Sequence, residues 1–191
     1  MNNAGLDGAK GMTESGFEMT FGVCHMEHFL LTNLLLEKLK QSAPARIVVV
    51  SSKLHKAPKS FDLSDVKAPT KSWNGIKEYG LAKLANVLFV KALAKRLEGT
   101  GVNVYALHPG VVASDVWRAV PWPLDKLIKL FMISTEEGAK TSLYCAMSDE
   151  VAEQSGLYYD ECKVAEPSAL ALDEGLAEEL WVESVEWVKN S

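Results

Sequence analysis

Three side-chain types in this sequence could together move a proton on and off a substrate oxygen. Tyr79 and Lys83 stand four apart, which on a helix places both on one face. The apolar run upstream of them ends in Ser51 and Ser52. A free phenol ionises at about pH 10, too high for a base at neutral pH. A neighbouring ammonium favours the phenolate and lowers that value by roughly 1–3 units. So tuned, the pair could exchange a proton with an alcohol or a carbonyl near neutral pH, while a serine hydroxyl held the same oxygen. Tyr and Lys four apart also occur by chance on many helices. The serines and the His108-Pro109-Gly110 stretch turn the balance toward chemistry.

These residues need elements to position them. Residues 28–40, "HFLLTNLLLEKLK", are apolar around most of a helical circumference, which predicts a helix buried on several sides. The β-branched run at 46–52 reads as a strand covered on both faces. Residues 53–75 carry prolines and a glycine and read as a long loop. A strong helix follows over 79–98, then a strand over 102–110 stopped by Pro109 and Gly110. Ser134 with Glu137 three residues on is a capping-box pattern opening a helix over 134–148. A third strand is expected at 156–164 and an amphipathic helix at 174–189. This alternation predicts an α/β fold with a parallel sheet. Ligands of such a sheet sit beyond the carboxyl ends of the strands. Ser51, Ser52, His108, Pro109 and Gly110 fall there.

The totals exclude several classes. The 191 residues suit a single domain, 1–191. A hydrophobic share of 48% and a charged share of 24% are globular rather than disordered. The net charge is -5 with no basic block, so no nucleic-acid partner is expected. No apolar run is long enough to span a bilayer, and no secretory pattern opens the chain. Cys24, Cys145 and Cys162 are scattered and read as reduced thiols in an intracellular, cytoplasmic setting. Cys24, His25 and His28 have metal-ligand spacing but no fourth ligand, so core or interface histidines are expected and no metal. Glu136, Glu137 and the acidic stretch near 174–186 read as solvated helix faces.

In this order "NNAG" (2–5), "VVVSS" (48–52), "YGLAK" (79–83) and "HPG" (108–110) resemble the short-chain dehydrogenase/reductase family. The surrounding "HFLLTNLLL", "KLANVLFVKALAKRL" and "YALHPGVV" are similar to its retinol dehydrogenase-like subgroup. The resemblance runs over essentially the whole chain. It implies a Rossmann-like parallel sheet with flanking helices and hydride transfer between NAD or NADP and an alcohol/carbonyl pair. It implies Tyr79 as acid/base, Lys83 as the lysine that lowers its pKa and binds the nicotinamide ribose, and Ser52, rather than Ser51, as the serine that orients the substrate oxygen. Asn3, Ala4 and Gly5 match the turn against the cofactor's adenosine side. Pro109, Gly110 and Val112 match the segment along the nicotinamide, with Ser114 where the family often has threonine. Trp117, Trp122, Leu124, Leu127, Ile128 and Phe131 match the segment that covers the substrate, which implies an apolar one such as a retinoid, steroid or fatty aldehyde. Core packing, or a surface stretch touching a membrane, are the other readings of that segment. The helices at 28–40 and 79–98 resemble those that pair subunits, which implies a homo-oligomer.

Two departures bear on function. The family opens with a strand, a glycine-rich phosphate loop, a helix and two further strands. That βαβαβ portion is expected ahead of residue 1, so the chain reads as the N-terminally truncated back two-thirds of the fold, with weak NAD(P) binding. The glycines of "GLDGAKG" (5–11) lack the dinucleotide spacing and read as a flexible turn. Second, Cys24 stands where the subgroup has an asparagine that supports a proton relay involving the lysine, and Glu27 replaces a small glycine. A thiol cannot both donate and accept as an amide does. The rival class is therefore a non-catalytic remnant that acts only by association with related subunits.

Overall fold

Alternating helix and strand patterns in the sequence build one sheet with helices on both faces. The computed structural model describes residues 1–6, 8–110 and 134–189. Its strands are β1 (Ala45–Val50), β2 (Val102–His108), β3 (Leu157–Asp160) and β4 (Lys163–Val164), in the order β1-β2-β3-β4. The first three are parallel, with Ala45 opposite Val102 and Tyr105 opposite Leu157. Ile47 and Val49 face one layer of the core, whereas Val48 and Val50 face the other. Burial on both faces explains why β1 is a continuous apolar run rather than an alternating one.

The expected strand at 156–164 is instead a hairpin. Glu161 and Cys162 take positive φ values of 50° and 59°, and β4 returns antiparallel to β3. A two-residue turn with both central residues left-handed matches the twist of the strands it joins. The 53–75 loop is anchored rather than loose. It holds single helical turns at Lys53–Lys56 and Asp65–Lys67, and the buried Val66 accepts a backbone bond from Glu18.

On one face lie α1 (Glu27–Gln41), α2 (Ile76–Arg96) and α4 (Glu174–Lys189). On the other lies α3 (Thr135–Met147), whose Ser134 cap accepts the Glu137 N–H. The Glu137 carboxylate turns to Lys140. Most of α2 is buried, and Trp181 of α4 stacks on its Phe89 at 5.9 Å. The other long helix differs from expectation. It enters through Met19–Phe21 and a π-helical turn at Gly22–Met26, and along α1 only His28, Phe29 and Thr32 are buried. Leu30, Leu31, Leu34 and Leu35 remain 40, 49, 73 and 47% exposed. Apolar content all round a helix does not by itself supply something to pack against.

Asn2 lies beside β1 as a one-residue parallel bridge to Val49. Its N–H donates to Val48 O at 2.7 Å and its carbonyl accepts from Val50 at 2.9 Å. The "NNAG" turn therefore leaves the sheet at the same end as Ser51, Ser52 and His108. Among the described residues no helix is long and apolar enough to cross a membrane.

Candidate active site

The helix α2 begins where Gly75 adopts φ 74°, a conformation open to glycine at no steric cost. Glu78 secures this start: its carboxylate accepts the N–H groups of Lys71 and Ser72 and the Ser72 hydroxyl. One residue on, Tyr79 is half-buried, and one turn later Lys83 is 3% exposed. The Lys83 ammonium lies 5.3 Å from the centre of the Tyr79 ring, within cation–π reach. Among the described residues its one hydrogen-bond acceptor is Val50 O, at 3.1 Å. Burial pushes the Lys83 pKa down from its usual 10.5, and an ionised Cys24 would push it back up. Any anion formed beside it is therefore stabilised.

The two serines have separate tasks. Ser51 donates to the Lys83 carbonyl at 2.7 Å, which ties the end of β1 to α2. Ser52 lies at the N-terminus of the Lys53–Lys56 turn, where its hydroxyl accepts the Leu54 N–H at 3.2 Å. That turn presses on α2 at Gly80, where an added Cβ would come within 3.1 Å of Leu54 O. Asn3, Ala4 and Gly5 are exposed. A Cβ on Gly5 would sit 3.5 Å from the Cys24 sulfur and 3.8 Å from the Lys83 nitrogen, so this turn borders the ammonium. Pro109 and Gly110 follow β2, with Gly110 at φ 90°. Val112, Ser114 and the apolar residues from Trp117 to Phe131 lie outside the described residues.

Beneath the ammonium is a residue that sequence reasoning missed. Asn86, fully buried and one turn after Lys83, donates to Cys24 O at 3.0 Å and to Val50 O at 3.2 Å. Its own oxygen then accepts from His25 Nδ1 at 3.0 Å, which makes His25 the Nδ1–H tautomer. Burial lowers His25 to about 4. An asparagine inside an otherwise apolar helical run was the available signal. The Cys24 thiol, fully buried, makes a long contact to Leu6 O at 3.6 Å. His25 and His28 are both core residues, 1% and 4% exposed. Among the described residues no group of three or more His, Cys, Asp or Glu side chains could hold a metal.

His108, at the end of β2, accepts the Lys53 N–H through Nδ1 at 3.3 Å, and burial lowers it to about 4. Lys53 in turn pairs with Asp160 at the end of β3, 2.8 Å away. The carboxyl ends of the three parallel strands thus converge on one polar region, with Tyr79 and Lys83 alongside.

No family model matches the chain. Over 188 residues it is 48% identical to human retinol dehydrogenase 14, a match covering 95% of this chain and 55% of that protein. It is 45% identical to mouse retinol dehydrogenase 12, over 97% of this chain and 59% of that one. The chain thus spans a little over half the length of these curated relatives. A crystal structure of an uncharacterised protein from Mycobacterium paratuberculosis shares the fold with a TM-score of 0.75 and 29% identity, over 98% of this chain and 65% of that one. The NADPH-bound carbonyl reductase from chicken fatty liver matches with a TM-score of 0.59 and 19% identity, over 86% and 63%. By sequence along nearly every residue, and by fold, the chain belongs to the short-chain dehydrogenase/reductase family, in its retinol dehydrogenase-like subgroup.

Proposed function

We propose that this chain carries the proton-transfer machinery of an NAD(P)-dependent oxidoreductase that interconverts an apolar alcohol and its carbonyl, with a retinoid as the favoured substrate class. The observation that carries this reading is the buried Lys83 ammonium beside the Tyr79 ring at the carboxyl ends of a parallel sheet. In the reducing direction the Tyr79 hydroxyl gives its proton to the carbonyl oxygen. In the oxidising direction its phenolate takes the hydroxyl proton, and the Lys83 charge steadies that phenolate. The Ser52 hydroxyl donates to the same substrate oxygen and fixes its direction. A bound nicotinamide supplies or accepts the hydride.

The residues present suit the nicotinamide half of that cofactor. An ammonium with three N–H donors, one of them on Val50 O, suits the hydroxyls of a ribose. Asn3, Ala4 and Gly5 would lie along the adenosine side, and Pro109 and Gly110, with Val112 and Ser114 beyond them, along the nicotinamide. The retinol dehydrogenase names of the relatives and the apolar residues between Trp117 and Phe131 support an apolar substrate.

A second reading rests on α1. Its open leucine face favours association with another copy, and such pairing could be the role of a chain that does not turn over. The test is an assay of the 191 residues, and of a fusion to the part of human retinol dehydrogenase 14 they do not span, with NADH or NADPH and all-trans-retinal. We expect the fusion to consume cofactor in step with retinol formed, and to act more slowly on a small hydrophilic ketone. A fusion that folds yet consumes neither cofactor with either substrate would leave the association reading.

A further inference from the structure

Behind the Ser52 turn lies a histidine to which the proposed proton transfer gives no task. His55 is 0% exposed. Its Nδ1 is 2.6 Å from the Ser52 carbonyl, which also accepts the His55 backbone N–H at 3.0 Å. Its Nε2 accepts the backbone N–H of Ser168 at 3.1 Å, from a residue 113 positions away. An N–H group can only donate, so Nε2 must carry the lone pair and Nδ1 the proton. The Ser168 hydroxyl is itself spent on capping the next turn, through the Ala171 N–H. The ring leans against Tyr158 of β3, centroids 4.7 Å apart.

We propose that His55 is a positioning residue: as its neutral Nδ1–H tautomer it clamps the Ser52 carbonyl to the Ser168 N–H and so fixes where the serine hydroxyl meets the substrate oxygen. This rests on the reading of Ser52 as the orienting group. It also gives the site an acid limit. A protonated ring would aim an Nε2–H at the Ser168 N–H, two donors face to face, and the clamp would open.

Cationic neighbours disfavour the protonated ring, and the bond to Ser52 opposes them. Lys53 and Lys56 flank it on its own turn, and His108 looks toward it from β2. From β3 come the Tyr158 hydroxyl, buried without a partner among the described residues, and Asp160, whose charge Lys53 already pairs. Burial lowers His55 from its usual 6.5, the bond to Ser52 partly offsets this, and Lys56 lowers it further. The ring is therefore neutral at pH 7.

The experiment compares wild type, Ser52→Ala, His55→Phe and His55→Gln. Glutamine offers one acceptor and one donor, as the neutral imidazole does; phenylalanine keeps only the ring shape. In the fusion assayed with all-trans-retinal, His55→Phe should lose kcat by on the order of tenfold to a hundredfold, with the cofactor KM unchanged. His55→Gln should recover most of it and lose the acid limb of the wild-type pH profile. Full activity in His55→Phe alongside a dead Ser52→Ala would overturn the clamp and leave the reaction standing. A readout in the 191 residues needs no turnover. The imidazole nitrogen spectrum should show one pyrrole-type Nδ1 and one pyridine-type Nε2 for His55, and Ser168 amide exchange should quicken at least tenfold in His55→Phe. The opposite tautomer, or unchanged exchange, would refute the proposal even if the wild-type fusion were inactive.

Discussion

Two kinds of residue make up the proposed site, and they differ in how visible they are in sequence. Tyr79 and Lys83 could be paired from spacing alone, because four residues on a helix is a fixed distance. Asn86 and His55 could not. Each has a partner far along the chain, Cys24 62 positions from Asn86 and Ser168 113 from His55, and only the fold joins them. Cys24 shows the same limit. The sequence marks it as a thiol where an amide is expected, and the fold adds that Asn86 already holds its backbone carbonyl. A thiol in place of the relay amide should make a slow enzyme. Cys24→Asn in the fusion should raise kcat several-fold, within the range of general acid–base effects, while the melting temperature stays within a few degrees. Equal or lower turnover in a variant that still folds would mean the thiol costs nothing.

At the scale of elements, the parallel α/β arrangement was legible because helical and strand periods alternate along the chain. Two features were not. The 156–164 segment is apolar enough for one strand, yet Glu161 and Cys162 turn it back, and neither residue type announces a left-handed turn. For α1 the hydrophobic pattern predicted burial on several sides, but burial depends on what packs there. Its four outward leucines contrast with α2, which α4 and the sheet already cover. Pairing of copies should therefore run through α1. Leu31→Glu combined with Leu34→Glu should reduce the mass measured by light scattering toward that of one chain and improve solubility. A wild-type monomer, or an unchanged oligomer in the double variant, would remove α1 from the assembly.

At the scale of the whole molecule, all four histidines (His25, His28, His55 and His108) are buried. Burial lowers each: His25, His28 and His108 to about 4, and His55 in the same direction. The unfolded chain takes up these protons more readily, so stability is complete above about pH 6.5 and falls as pH drops toward 4. For the fully buried His25 alone the loss is on the order of 3 kcal/mol. That is a large part of an ordinary domain's stability of about 5–15 kcal/mol. The urea midpoint should hold steady from pH 8 to 7 and fall steeply between pH 6.5 and 4.5. A flat profile over that interval would mean the histidines are not held neutral by the fold.

These scales meet in the claim that Lys83 tunes Tyr79 for proton transfer. The pH dependence of kcat in the fusion, with all-trans-retinal and NADPH, compared among wild type, Tyr79→Phe and Lys83→Met, tests it most directly. The account predicts that Tyr79→Phe loses turnover by at least about a hundredfold. It predicts that Lys83→Met, with its charge gone, keeps residual turnover whose controlling pKa moves upward by roughly 1–3 units. Undiminished turnover in Tyr79→Phe, or an unshifted profile in Lys83→Met, would contradict it.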